Sequence, residues 1–175
     1  QGVATNYRYD PLTDAWTTVT AIATARTLPG SWEISQLGYI AGGFNTASTR
    51  LATVEGYDAN ADGLTSAAEP DITAVYSPAG TTGNGDGLGY LQGGNNGAGS
   101  DVGTAQSYSV AANTWTTENT MGTIRSGHAA GISDRNLYVH GPGATMERMN
   151  TSPAAPIALL PDASGPRRAE HYTRS

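Results

Sequence analysis

The chain repeats its own pattern with a period of about 50 residues, and this repeat limits its folds more than any other feature. In one series, an aromatic or apolar residue follows a tyrosine after seven positions. The three pairs are Tyr9 and Trp16, Tyr57 and Leu64, and Tyr108 and Trp115. A second series, a short apolar run that closes on glycine, occupies 37–43, 88–94 and 136–142. Because both series keep offsets of 48 or 51 residues, we predict a chain of similar units.

Each unit has the pattern of short strands joined by turns. An apolar strand closes on Gly-Gly, a variable loop follows, a strand ends in Tyr-Asp, and after a tight turn another strand opens on Trp. The 23 glycines of the chain suit this arrangement, because glycine fits tight turns. We therefore predict an all-β fold with four short strands in each unit, and no helical bundle.

The pattern resembles the kelch motif. Its most specific parts are the segment 9–16, the pairs Gly42-Gly43 and Gly93-Gly94, and an arginine ten residues after a tryptophan, at Arg26 and Arg125. The resemblance implies a kelch-like β-propeller segment made of four-stranded antiparallel blades, with an incomplete ring in this chain. It also implies that the glycine pairs let the chain bend, and that the aromatic pairs fill the space between neighbouring blades.

The repeat divides one domain, residues 1–175, into the approximate units 1–43 (partial), 44–94, 95–143 and 144–175 (partial). The middle unit has Leu64 in place of tryptophan and lacks the arginine. Propellers close with about four to eight blades, and this chain carries about three to four. We expect further blades from the same chain, as part of a longer protein, because both ends fall inside a blade. The alternative is an oligomer whose subunits share a ring.

Charge and composition exclude several classes of function. The formal net charge is −6, and all nine basic residues are arginine, which disfavours a nucleic-acid partner held through phosphate contacts. The absence of cysteine excludes disulfides and thiolate metal sites. No stretch approaches the length of apolar residues that membrane insertion needs. A lysine-free, acidic chain is compatible with an extracellular or virion-surface location.

Residues 58–69 match the spacing of a twelve-residue calcium loop, with oxygen ligands at fixed positions and Gly63 at the sixth. The candidate ligands are Asp58, Asn60, Asp62, Leu64, Ser66 and Glu69. Gly56 and Pro70 border the segment where a paired EF-hand needs helices, and the segment is also the ordinary Tyr-Asp turn of the repeat. Calcium binding and a plain polar turn therefore both stay open.

Arginines and histidines supply the remaining candidates for a binding site. In kelch-like proteins, the loops that enter the first strand tend to line one mouth of the central channel. The resemblance therefore implies a ligand role for Arg26, Arg125 and Arg168, and His128 lies close in sequence to the second of these. An arginine fork suits an acidic ligand. The alternative is that each arginine caps strand carbonyls and that His128 is structural.

Two functions compete on this sequence. The first is a non-catalytic binding or structural module that presents loops to a protein or glycan partner, for example as an assembly subunit on a virion or cell surface. The second is a sugar-modifying enzyme of the kelch-propeller type, with its active site in the central channel. The sequence contains no recognisable pair of catalytic acid and base, which favours the first.

Overall fold

The computed structural model describes residues 2–65, 69–97, 99–141 and 146–150, and these residues form β-strands and no helix. The strands are β1 (Asn6–Asp10), β2 (Ala15–Val19), β3 (Gly30–Ile34), β4 (Leu37–Ala41), β5 (Val54–Asp58), β6 (Gly63–Leu64), β7 (Ala79–Thr82), β8 (Leu88–Gln92), β9 (Ala105–Ser109), β10 (Thr114–Thr117), β11 (Ala129–Ser133), β12 (Asn136–His140) and β13 (Met146–Asn150). The predicted all-β class is confirmed. No helix among the described residues is long and apolar enough to cross a membrane.

Strands that are consecutive in the chain pair antiparallel and form four separate sheets. The sheets are β1-β2, β3-β4-β5-β6, β7-β8-β9-β10 and β11-β12-β13. None of them closes on itself. Each of the two four-stranded sheets takes strands from two successive units of the sequence repeat, because a sheet begins before the Gly-Gly pair and ends after the Tyr-Asp turn.

The spacing of seven residues in the repeat is the register of a β-hairpin. Tyr9 lies opposite Trp16 on β1 and β2, and Tyr108 lies opposite Trp115 on β9 and β10. The hydroxyl groups of Tyr9, Tyr57 and Tyr108 each donate to a side chain five residues later, at 2.7–2.8 Å. The acceptors are Asp14, Asp62 and Asn113, and all three have a left-handed backbone with φ of 48–50°. Asp and Asn adopt that conformation more readily than most residues, so the turn and its acceptor are specified together.

The main core lies between the second and third sheets and is rich in aromatic rings. Trp32 of β3 stacks on Tyr39 of β4, with ring centroids 5.6 Å apart. The pair Tyr108 and Trp115 covers them, at 5.4 Å from Tyr39 and 5.5 Å from Trp32 respectively. Burial raises the pKa of Tyr39 to about 12, with smaller contributions from Tyr108 and Glu69. Opposed aromatic pairs therefore join these sheets.

The sheets approach so closely that only glycine fits at some contact positions. A Cβ on Gly80 of β7 would lie 2.2 Å from the carbonyl oxygen of Ser31 on β3. A Cβ on Gly89 of β8 would lie 2.1 Å from the indole ring of Trp32. Both distances are shorter than any contact that a real Cβ atom makes, so the two sheets can come this close only because these residues are glycine.

Candidate functional site

Arg26 lies in the segment that leads into β3, and its guanidinium is buried, with the residue only 3% exposed. It donates to three backbone carbonyls, of Thr24, Gly42 and Thr53, at 3.0–3.3 Å. It also donates to the Thr53 hydroxyl and forms an ion pair with Glu55. The side chain therefore ties the entry to β3 to the end of β4 and the start of β5.

Glu55 of β5 is held from a second side. The backbone N–H groups of Ala23 and Thr24 donate to its carboxylate at 2.6 Å and 3.2 Å. A buried charge is tolerated when it is paired and hydrogen-bonded, and both charges of this pair meet that condition.

Arg125 and Glu147 repeat this arrangement before β11 and on β13. Arg125 is 3% exposed, donates to the carbonyl of Thr123, and forms an ion pair with Glu147. Gly122 and Thr123 donate their backbone N–H groups to the carboxylate at 2.7 Å and 2.9 Å. The hydrogen bonds from Thr123 and Gly122 and the charge of Arg125 lower the pKa of Glu147. The same ion pair therefore recurs on the fourth sheet.

Equivalent bridges identify the residue that takes the place of Arg26 in the middle unit. The bridges are Thr27 with Phe44 and Tyr76 with Asn95. Arg26 directly precedes Thr27, the first residue of one bridge, and Val75 directly precedes Tyr76, the first residue of the other. Val75 therefore occupies the arginine position.

A second comparison identifies the residue that takes the place of Glu55. Gly42 N–H donates to Thr53 O, and Gly93 N–H donates in the same way to Thr104 O. Two residues after each threonine stand Glu55 and Gln106. The third sheet has thus lost both charges of the ion pair, since Val75 precedes β7 and Gln106 belongs to β9. A cavity of about 310 Å³ lined by Val75 and Gln106 lies there.

His128 lies at the entry to β11, packed against two glycines. A Cβ on Gly93 would come within 2.6 Å of its Cε1 atom, and a Cβ on Gly141 within 2.2 Å of its Cβ atom. Both ring nitrogens are buried without a hydrogen-bond partner. Burial and the nearby charge of Arg125 lower the pKa of His128, and Asp101 acts in the opposite direction. The geometry thus brings His128 and Arg125 together beside Gly93.

The first part of the predicted calcium loop, residues 58–64, forms the turn and second strand of the β5-β6 hairpin. The Asp58 carboxylate accepts from the backbone N–H groups of Asn60 and Ala61 at 2.8 Å and 3.2 Å. The Asp62 carboxylate accepts from Thr20 N–H and from the Tyr57 hydroxyl, and these bonds lower its pKa.

Of the other four candidate calcium ligands, the structure describes three. The Asn60 side chain donates to Gln36 at 3.3 Å, Leu64 belongs to β6, and the Glu69 carboxylate accepts from the Thr65 hydroxyl. Ser66 falls outside the described residues. Within 2–65, 69–97, 99–141 and 146–150, no group of three or more His, Asp and Glu side chains is placed to hold a metal ion. Calcium binding stays a prediction.

Of the four candidate ligand-binding residues, the structure places three. Arg26 and Arg125 lie on different sheets, each facing internal acceptors, and His128 is beside Arg125. Arg168 lies outside the described residues. Binding of an external ligand by these side chains stays a prediction.

The two glutamates that pair with the arginines were not among the sequence-derived candidates. A signal for them exists in the sequence, because Thr-x-Arg recurs at 24–26 and 123–125, and Thr-x-Glu follows at 53–55 and 145–147. The corresponding triplets beside and on the third sheet are Thr-Ala-Val at 73–75 and Thr-Ala-Gln at 104–106. Arginine with glutamate, or valine with glutamine, thus stand together at these positions, and this covariation is the signal that links the two triplets.

No protein-family model matches the chain, and no curated protein matches it.

Proposed function

We propose that the chain is a non-catalytic binding or structural module, built as a kelch-like propeller segment, whose first sheet packs against a further unit of the same repeat. The antiparallel sheets of consecutive strands, the Tyr-Asp turns and the glycine contacts between sheets support the propeller. One observation carries the role in assembly: an aromatic pair that is covered in one sheet is exposed in another.

The covered pair is Tyr108 and Trp115, on the third sheet. Their ring centroids are 5.1 Å apart, and they pack against Trp32 and Tyr39 of the second sheet. The Trp115 indole also donates to the carbonyl of Pro70 at 3.0 Å. In this contact, a sheet that carries such a Tyr-Trp pair packs against another sheet that presents a stacked Trp and Tyr.

The exposed pair is Tyr9 and Trp16, at the equivalent positions of the first sheet. Their centroids are also 5.1 Å apart, but Tyr9 is 43% exposed and Trp16 is 69% exposed. Tyr7 on β1 and Leu12 in the following turn are two further large apolar residues that are exposed. Exposed aromatic side chains that pack on each other in this way are typical of an interaction site. By analogy with the covered pair, its partner is a sheet of the same repeat, from the same or another chain.

In this proposal the sheets form the scaffold of an assembly, and the loops between them face a protein or glycan partner. An assembly subunit at a virion or cell surface is one form of this function. The charge of −6 and the absence of lysine are compatible with it.

The test combines native and denatured mass spectrometry with acrylamide quenching of tryptophan fluorescence, which reports exposure of Trp16. A denatured mass well above 18.0 kDa with a shielded Trp16 would mean that the same chain supplies the further sheet. A denatured mass near 18.0 kDa with a native multimer would mean that a second copy supplies it. A Trp16 that stays fully open to quencher in the native material would overturn the proposal.

A variant pair separates the interface from general surface hydrophobicity. Trp16→Ser is expected to shift the native multimer toward smaller species, or to increase exposure of the facing sheet in a longer chain. Ile124→Ser is the matched control, because Ile124 is another large exposed apolar residue, 60% exposed, on a different segment. If both variants changed the assembly equally, the first sheet would not be the interface.

A further inference from the structure

A cavity of about 310 Å³ lies beside the third sheet, at the position where the second and fourth sheets hold an ion pair. Its lining includes Thr73, Val75, Leu91, Gly93, Thr104 and Gln106. This volume is at the lower end of the range of small-molecule sites, about 300–1,000 Å³.

Five of these residues correspond one by one to the surroundings of Arg26. Thr73, Val75, Gly93, Thr104 and Gln106 are the equivalents of Thr24, Arg26, Gly42, Thr53 and Glu55. Thr24, Gly42, Thr53 and Glu55 are the residues that accept hydrogen bonds from Arg26. The cavity therefore corresponds to the Arg26 site beside the second sheet, with valine in place of the arginine.

The chemistry of the lining follows from this correspondence. In the first unit, the carbonyls of residues equivalent to Thr73, Gly93 and Thr104 accept from one guanidinium. A planar guanidinium presents five N–H donors in a fixed fork, and an ammonium group does not. Gln106 supplies a side-chain carbonyl where Glu55 supplies a carboxylate, and Val75, Leu91 and Val102 supply an apolar wall for an alkyl stem.

We propose that this cavity binds a guanidinium group on an alkyl stem, carried either by a small arginine-like molecule or by an arginine side chain of a partner protein. The ligand restores beside the third sheet the contacts that Arg26 makes beside the second sheet. Because Gln106 is neutral, the ligand lacks the carboxylate partner, and the resulting binding is weak and depends on hydrogen-bond geometry. The site does not depend on the sheet packing proposed above.

The direct test is isothermal titration of the protein with three N-acetyl amides: those of arginine, lysine and citrulline. Arginine amide is expected to bind at least about tenfold more tightly than lysine amide, because only the fork matches several acceptors. Citrulline amide keeps the shape but lacks the charge and two of the five N–H donors, and it is expected to bind between the two. Equal affinity for all three, or no binding of arginine amide, would overturn the proposal.

Two variants move the affinity in opposite directions. Gln106→Glu supplies the carboxylate of the other units and is expected to tighten arginine-amide binding about tenfold, since charge-assisted hydrogen bonds are about twice as strong as neutral ones. Val75→Arg combined with Gln106→Glu rebuilds the internal ion pair and is expected to abolish binding. Because two units of the chain already fold with that pair, a thermal melt of the double variant should match or exceed that of the unmodified protein. Binding that survived in the folded double variant would contradict the assignment.

A peptide arm distinguishes the two carriers of the guanidinium. A blocked Gly-Gly-Arg-Gly-Gly peptide that binds at least as tightly as arginine amide would identify a protein side chain as the ligand. Binding of the amide without binding of the peptide would identify a small molecule. Binding of neither in the Gln106→Glu variant would exclude a guanidinium site.

Discussion

Arg26 and Glu55 are replaced together in this repeat, because the third sheet has another residue at both positions of the pair and not at one alone. A lone arginine or glutamate at these positions would be a buried charge with hydrogen-bonding groups left unmatched, which costs several kcal/mol. Replacement of both by Val75 and Gln106 removes the two charges together. The neutral pair Val75 and Gln106 leaves a cavity, whereas the Arg26 guanidinium fills the equivalent space beside the second sheet.

This reasoning predicts strong coupling between the two positions. Glu55→Gln leaves the Arg26 guanidinium buried without its carboxylate and is expected to lower the free energy of unfolding by about 3–5 kcal/mol. Arg26→Val combined with Glu55→Gln introduces the residue types that Val75 and Gln106 provide beside the third sheet. Its cost is expected to fall short of the sum of the single costs by about 1 kcal/mol or more.

Urea unfolding of Arg26→Val, Glu55→Gln and the double variant measures the coupling between the two positions. Glu33→Gln, at an exposed carboxylate, is the control and should change stability by less than about 0.5 kcal/mol. Strict additivity of the two single costs would show that Arg26 and Glu55 do not act as a pair.

His128 predicts a pH dependence of stability. Its pKa is lowered in the folded state by burial and by Arg125, so the unfolded chain binds more protons below the ordinary value of 6.5. Stability is therefore expected to be full above about pH 6.5 and to fall as the pH decreases through the folded pKa. His128→Leu should remove this part of the loss between pH 7 and pH 5, as measured by thermal melts across that range.

His140 provides the comparison for that experiment, since it lies exposed at the end of β12. His140→Leu is expected to leave the slope of melting temperature against pH unchanged. A slope that also stayed the same in His128→Leu would mean that the buried imidazole does not control stability in this range.

At the level of elements, the distance between the second and third sheets depends on glycine. Gly80→Ala would place a methyl group against the backbone of Ser31, and a backbone atom cannot move aside as a flexible side chain can. The variant is expected to lose about 1–3 kcal/mol, or more, in urea unfolding. Gly38→Ala on β4 is the matched control, because nothing lies within 4 Å of its added methyl group. Equal losses in both variants would attribute the effect to strand propensity and not to sheet contact.

The calcium prediction concerns segment 58–69, which includes the turn between β5 and β6. If the turn binds calcium, the melting temperature rises in excess calcium relative to chelator, because a ligand at 100 times its Kd adds about 2.7 kcal/mol to stability. Asp58→Asn should reduce that rise. Asp14→Asn, at the corresponding turn of the first hairpin, should not. An unchanged melting temperature between calcium and chelator would show that Asp58 and Asp62 serve the turn alone.

The sequence predicts the elements well where a local rule governs them. The spacing of seven residues between Tyr9 and Trp16 correctly indicates a hairpin, since the two residues face each other across a tight turn. The Arg26 ion pair escaped prediction, because Glu55 lies 29 residues away and meets the arginine only after three strands have paired. The cavity beside Gln106 was also beyond sequence reasoning, since it arises where a side chain is smaller than its counterparts.

At the scale of the whole molecule, the first sheet is held less firmly than the others. It has two strands, and its exposed face carries Trp16. Its connections to the second sheet include two hydrogen bonds from Thr20 to Asp62, at 2.7 Å and 3.0 Å. The second and third sheets share the aromatic core instead. Local opening follows such differences in buried apolar contact, so stability should differ along the chain.

Amide hydrogen exchange with mass spectrometry measures that difference. In the isolated 175-residue chain, segment 6–19 is expected to exchange at least about tenfold faster than β4 and β8, which pair with a strand on both sides. In the assembled form proposed above, a facing sheet covers Tyr9 and Trp16, and exchange in 6–19 should slow toward that of β4. Trp16→Ser should prevent the slowing while leaving β4 and β8 protected. Equal protection of all three segments in the isolated chain would show that the first sheet is stable without a partner, and the exposed aromatic pair would then need no covering sheet.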